Sequence, residues 1–205
     1  MNQRLEIHPV NPQPRLVAQA VGVLEAGGLI AYPTDSGYAF GWKIEAQAAQ
    51  ERVMRLRGLD SRHNFTLVCR SLSEIGTYAR MSDVAFRLIR SLTPGPYTFL
   101  LPASAQLPRH LKQTKKRSVG VRIPDHRVAL ALAEGLGEPL SSSSLILPDE
   151  DMAGWEVDDL YDRVARDVDF FIDSGFCGNQ PTTVIDLLGD APWVARQGKG
   201  EVPFA

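Results

Sequence analysis

A single α/β domain built on one twisted, mixed and open β-sheet with flanking helices is the fold class this sequence predicts, from three observations. Runs with strand character alternate with runs of helical periodicity along most of the chain. Several consecutive strand runs have no helix between them, so the sheet is expected to be mixed rather than purely parallel. The 205 residues, 44% hydrophobic and 22% charged, contain no repeat, low-complexity tract or linker, and one core can serve a chain of this size.

The elements follow in order. In "PQPRLVAQAVGVLEAGG" the residues Leu16, Val17, Ala20, Val21 and Leu24 fall on one helical face, and Gly27-Gly28 ends the helix. A strand over 29–33 comes next, breaks at the polar trio Thr34-Asp35-Ser36, and resumes as "YAFGWKI". "EAQAAQERVMRLRG" is rich in helix formers and stops at Gly58, and "FTLVCR" is a β-type run. Ser71 with Glu74 has capping-box spacing for a short helix, and Ser82-Asp83 opens another through Leu92. "TPGPYTFLLP" and "SVGVRIP" are strands, "HRVALALAEGLG" is a helix, and "PLSSSSLIL", "VDFFI", "TTVIDLL" and "WVARQG" are short β-like segments. The acidic stretch 149–169 lacks calcium-loop spacing and suits a solvated helix face.

Composition excludes several classes. With 22 Lys and Arg against 24 Asp and Glu, the formal charge is -2, so any nucleic-acid partner must be recognised locally. No apolar run approaches the ~20 residues that cross a bilayer, and the first fifteen residues lack a secretion-signal layout, so a cytoplasmic protein with no membrane partner is expected. Cys69 in a strand and Cys177 in a glycine-rich loop are too scattered for a disulfide framework, and the four histidines have no metal-ligand spacing. His63 and His126 are expected as surface or turn residues.

Polar residues gather at strand ends: Thr34 to Ser36, Ser118 with Arg122, the serines 141–144, and Thr182-Thr183. Each cluster alone is ordinary turn chemistry. Together they suit the ligand-binding rim of an open α/β sheet, where loops supply hydroxyls and backbone N–H groups. Arg52, Arg55, Arg57 and Arg62 fall within eleven residues, and guanidinium forks match phosphate or carboxylate. Arg122 sits inside the apolar run "VGVRIP", where a lone charge is expensive. It therefore needs an anionic partner, in the protein or on a ligand.

Seven segments, "YPTDSGYAFG", "RLRG", "TPGPYTFLL", "SVGVRIPDH", "EPLSSSSL", "PTTVIDL" and "VARQGKG", resemble in order and spacing the YrdC/YciO family, most closely its YciO branch. The resemblance runs over about residues 5–205, one YrdC-like domain, and implies a sheet with a concave, positively charged face. It implies an ATP-dependent synthase of threonylcarbamoyl-AMP from L-threonine, bicarbonate and ATP with Mg²⁺, releasing pyrophosphate, for modification of tRNA. Carried over by position, Thr34, Arg122, Ser142 and Thr182 would hold threonine. Arg55, Arg57, Ser118, Ser144 and Arg196 would hold the nucleotide, with Arg55 and Arg57 also the catalytic pair.

Three motifs depart from the synthase pattern: Arg55-Leu56-Arg57 for Lys-x-Arg, Ser144-Leu145-Ile146 for Ser-Ala-Asn, and Asp35-Ser36 for Glu-Thr. Low turnover is the expectation, since a planar fork does not replace an ammonium. The alternative is a module on the same scaffold that binds double-stranded RNA by shape and phosphate contact. The tract 109–117, with five Lys or Arg in nine positions, would be either a solvated loop or a phosphate-facing edge.

Overall fold

The computed structural model describes residues 3–60, 63, 65–111 and 117–204. Ten strands form one sheet: β1 Gln3–Glu6, β2 Ile30–Thr34, β3 Gly37–Lys43, β4 Thr66–Val68, β5 Tyr97–Pro102, β6 Ser118–Arg122, β7 Leu140–Ser144, β8 Phe170–Asp173, β9 Thr183–Asp186 and β10 Trp193–Arg196. Their spatial order is β1-β8-β2-β3-β7-β4-β6-β5-β9-β10. Pairs β1/β8, β2/β8, β4/β6 and β5/β9 are parallel and the other five antiparallel, so the sheet is mixed and open as expected. The strand β1 is the one addition to the sequence reading. Its "QRLE" is mostly exposed and carries no apolar alternation, being held by pairing with β8 far along the chain.

Six α-helices flank the sheet: α1 Pro14–Glu25, α2 Gln47–Arg57, α3 Leu72–Tyr78, α4 Asp83–Leu92, α5 Arg127–Leu136 and α6 Val157–Val164. The predicted stripe of α1 is the buried one, with Val17, Ala20, Val21 and Leu24 in the core and Leu16 packed at its edge. Helix α5 lies beside α1 closely enough that a Cβ on Gly135 would sit 2.9 Å from the Val21 side chain. Ser71 and Ser82 cap α3 and α4, each hydroxyl accepting a backbone N–H at 3.2 Å. Such caps typically contribute about 1 kcal/mol. The Glu74 carboxylate does not close the reciprocal box; it accepts from the Arg70 N–H at 2.7 Å and from the Arg70 guanidinium.

Three apolar clusters explain why one face stays open. Helices α1 and α5 cover Ile30, Tyr32, Leu140 and Phe170 on one face. Helices α2 and α6 cover Ala31, Phe40, Trp42 and Phe171 on the other. Helices α3 and α4 cover Leu67, Phe99, Leu101, Val119, Val121 and Ile185 of β4, β5, β6 and β9. Because side chains alternate along a strand, the intervening residues Thr66, Thr98, Leu100, Gly120, Arg122 and Val184 lie on the opposite face of that half-sheet. Among the described residues no helix covers that part of the sheet, and it forms the floor of a concavity.

The candidate ligand-binding concavity

The register across the sheet fixes the floor. Leu100 of β5 pairs with Gly120 of β6, Gly120 with Thr66 of β4, Thr66 with Ser142 of β7, and Ser142 with Gly41 of β3. Paired residues share a face, and Leu100, Thr66 and Ser142 of this row line the concavity. Gly120 keeps the middle low: a Cβ there would stand 3.1 Å from the Thr66 hydroxyl. The cavity above measures about 400 Å³, and its lining includes Thr34, Ser142, Ser144, Thr182, Arg57, Arg122 and Arg196. That volume suits a small-molecule ligand.

Seven of the predicted site residues are thus brought together, and two are not. Ser118 lies on the same face of β6 as Gly120 and Arg122, is 1% exposed, and has a buried hydroxyl with no hydrogen-bond partner among the described residues, but it does not line the cavity. Arg55 lies outside the concavity, exposed, in a separate cleft with Arg52, Leu56, Arg166 and Asp167. The reason is helical geometry: residues two apart on a helix are about 200° apart around its axis, so Arg57 and Arg55 leave α2 in nearly opposite directions. Arg62 lies outside the described residues, as do Lys112, Lys115 and Lys116 of the basic tract. Of that tract, His110 is held by the Ile44 carbonyl at 2.8 Å.

The buried charge at Arg122 finds its partner inside the protein. Its guanidinium pairs with the Asp35 carboxylate, both side chains being 10% exposed or less. It also donates to the Ser36 hydroxyl at 3.1 Å, while its Nε–H is buried without a partner. The second Asp35 oxygen accepts the Asp125 N–H at 2.8 Å, tying the loop after β6 to the turn between β2 and β3. Lys199 reaches the Asp35 carbonyl from the C-terminal segment. That segment is itself laid along β9 by hydrogen bonds from the Gly198 N–H to the Thr183 hydroxyl at 3.0 Å and from the Lys199 N–H to the Pro181 carbonyl at 2.8 Å.

Arg57 and Arg196 differ from Arg122: among the described residues, neither forms an ion pair with a carboxylate. Arg57 donates to the Ile146 carbonyl at 3.1 Å and the Ser143 hydroxyl at 2.5 Å, and Arg196 to the Thr182 carbonyl at 2.9 Å. Burial, then the Arg196 charge, pulls the Arg57 guanidinium below its usual range, and burial does the same to Arg196. Two part-buried cations with only neutral acceptors among the described residues have the charge and donors to suit an anion.

The hydroxyls are differently committed. Thr34 donates to the Gly37 carbonyl at 2.6 Å and accepts the Ser36 N–H at 3.1 Å, so it closes the β2–β3 turn while lining the cavity. Thr98 and Thr182 share a hydrogen bond at 2.9 Å. Thr66 and Thr98, to which the sequence reading gave no role, and His63, expected as a surface or turn residue, also line the concavity. His63 is half-buried in a loop: burial and then the Arg57 charge push its imidazole down to about 4, so it is neutral at physiological pH. Opening beside the concavity is a second, mainly apolar pocket of about 490 Å³, which shares Ser36, Tyr38, Ser144 and Ile146 with it. Cys177 borders this pocket, its thiol pushed up to about 11 by burial.

Residues 22–198 match the family model described as "Telomere recombination", which covers the Sua5, YciO and YrdC proteins. The Escherichia coli (strain K12) protein YciO is 50% identical over 205 residues, spanning 100% of both chains. Its crystal structure superposes with a TM-score of 0.94, over 99% of this chain and 98% of that one. The threonylcarbamoyl-AMP synthase of Klebsiella pneumoniae subsp. pneumoniae is 34% identical over 131 residues, 62% of this chain and 68% of its own. P. abyssi Sua5, crystallised in complex with L-threonine, shares the fold at a TM-score of 0.86 and 24% identity, with 96% of this chain on 57% of that one. Fold, motif order and sequence identity agree, and the chain belongs to the Sua5/YciO/YrdC family.

Proposed function

We propose that this protein is a threonylcarbamoyl-AMP synthase-like enzyme that joins L-threonine, bicarbonate and ATP and releases pyrophosphate, in the service of tRNA modification. The single observation that carries the reading is the pair Arg57 and Arg196, which among the described residues have no carboxylate partner, in a concavity whose lining is rich in Ser and Thr hydroxyls. The likeness to relatives named threonylcarbamoyl-AMP synthase supports it.

The residues suit the chemistry. Bicarbonate and the threonine amine give a carbamate with loss of water. A carbamate oxygen then bonds to the α-phosphorus as the bond to the bridging oxygen of pyrophosphate breaks. Such a step needs positioning and charge neutralisation more than a protein nucleophile. Arg57 and Arg196 would meet the phosphates with Ser144 beside them. The unpaired Arg122 Nε–H would meet the threonine carboxylate, while Ser142 and Thr182 line the rest of the amino-acid end. Among the described residues no three acidic, histidine or cysteine side chains gather as a metal cage, and Asp35 is engaged with Arg122. Mg²⁺ would therefore be held chiefly by the triphosphate, as this ion often is, and would neutralise phosphate charge there.

A ligand that binds only the folded concavity raises the melting temperature. ATP with Mg²⁺ at millimolar concentration is expected to do so, and threonine to add to the shift. A saturating ligand at 100 times its Kd contributes about 2.7 kcal/mol. No shift with ATP would contradict the nucleotide assignment.

A further inference from the structure

Tyr32 is fully buried on β2, two strands away from Ser142 on β7. Neighbouring strands lie about 4.8 Å apart, so the tyrosine must cross β3 to reach β7. It crosses at Gly41, the residue paired with Ser142: a Cβ on Gly41 would fall 2.8 Å from Tyr32 Cε1. The glycine in "AFGWK" is the gap through which the ring passes, and the phenol oxygen ends 2.6 Å from Ser142 Oγ.

Hydrogen-bond bookkeeping then fixes every proton. Ser142 has one hydroxyl hydrogen, and it goes to the Phe40 carbonyl at 3.0 Å, which can only accept. Tyr32 must therefore be the donor in the 2.6 Å contact. Burial pushes its hydroxyl up to about 12, so it remains a donor throughout the physiological range. Of the two Ser142 lone pairs, one is filled by Tyr32. Ser142 also lines the concavity, where it has no hydrogen left to give.

We propose that Tyr32 is a positioning residue which, reaching across Gly41, fixes Ser142 as a hydrogen-bond acceptor for an N–H group of the amino-acid substrate. The inference rests on the amino-acid reading given under Proposed function. It adds a polarity to the site: the unpaired Nε–H of Arg122 donates at one end, and Ser142 accepts at another. That pattern matches a carboxylate and an N–H carried on one carbon, and the N–H survives carbamate formation. A hydroxy acid without the nitrogen leaves the buried acceptor unmet, which carries a penalty.

The test is calorimetric binding of L-threonine and of 3-hydroxybutanoate, which lacks the amine, to wild type, Tyr32→Phe, Ser142→Ala and the double variant. Wild type is expected to prefer threonine. Tyr32→Phe, which keeps the buried ring, should reduce that preference about tenfold, as loss of an oriented hydrogen bond would. Ser142→Ala should reduce it at least as much, and Tyr32→Phe should add nothing in the Ser142→Ala background. A purely structural phenol would lower the melting temperature and leave the preference alone. Threonine binding with an unchanged preference in Tyr32→Phe would overturn this role and leave the amino-acid reading standing. Absence of threonine binding by the wild type would overturn both.

Discussion

Replacing Arg122 by alanine is expected to destabilise the fold by about 3–5 kcal/mol, the cost of leaving a buried charge without its partner. The Asp35 carboxylate is 10% exposed and keeps only the Asp125 N–H once the guanidinium is gone. Its loop and the loop after β6 are tied through that one carboxylate, so the damage reaches both walls of the amino-acid end. Replacing both residues by leucine removes the stranded charge and should recover most of the loss, since an apolar pair of similar volume often substitutes for a buried ion pair at little cost. Urea unfolding of the two variants measures this directly. A loss below about 1 kcal/mol in Arg122→Ala would mean that the pair behaves as a solvent-screened surface bridge.

Arg57→Ala should show the opposite division between stability and activity. A charge-assisted hydrogen bond to phosphate contributes about 1.5–3 kcal/mol, so substrate-dependent pyrophosphate release is expected to fall about 10- to 100-fold. Stability should change by less than about 1 kcal/mol, as for most changes outside a packed core. Removing the side chain loses two hydrogen bonds but also relieves the repulsion from Arg196. Arg55→Ala is the internal control. It removes a neighbouring arginine of the same helix that faces a different cleft, and it should leave the rate unchanged. Equal losses in the two variants would place the phosphates over the outer face of α2 instead.

The strands were legible because alternation is local. Phe99 and Leu101 against Thr98 and Leu100 mark two faces within one six-residue strand. The strand β1 was not, because an edge segment such as "QRLE" has no buried face to betray it. Within the site, Thr34, Ser142, Thr182 and Arg196 could be placed by motif, while the partner of Arg122 could not. Asp35 stands 87 positions away and is brought beside it by the sheet alone. The helical spacing of Arg55 and Arg57 did contain a usable signal, since residues two apart on a helix diverge. Thr66 had no motif to mark it, and Thr98 sits in the "TPGPYTFLL" segment without a role assigned to it; the register that puts Thr66 opposite Gly120 and Ser142, and Thr98 opposite Val184, shows that they line the floor. Gly41 and Gly120 lie inside strand runs with nothing in the sequence to mark their use, and in the fold they are space, one for the Tyr32 ring and one for the cavity floor.

Steady-state pyrophosphate release by the wild-type protein, with each of ATP, threonine and bicarbonate omitted in turn, tests the synthase reading most directly. Release that requires threonine and bicarbonate together is the predicted result. It is expected at a low rate, because Ile146 stands on the concavity wall where the synthases carry asparagine, and an isoleucine side chain offers the nucleotide no hydrogen bond. Release that proceeds equally well without threonine, or no release under any combination, would contradict the account.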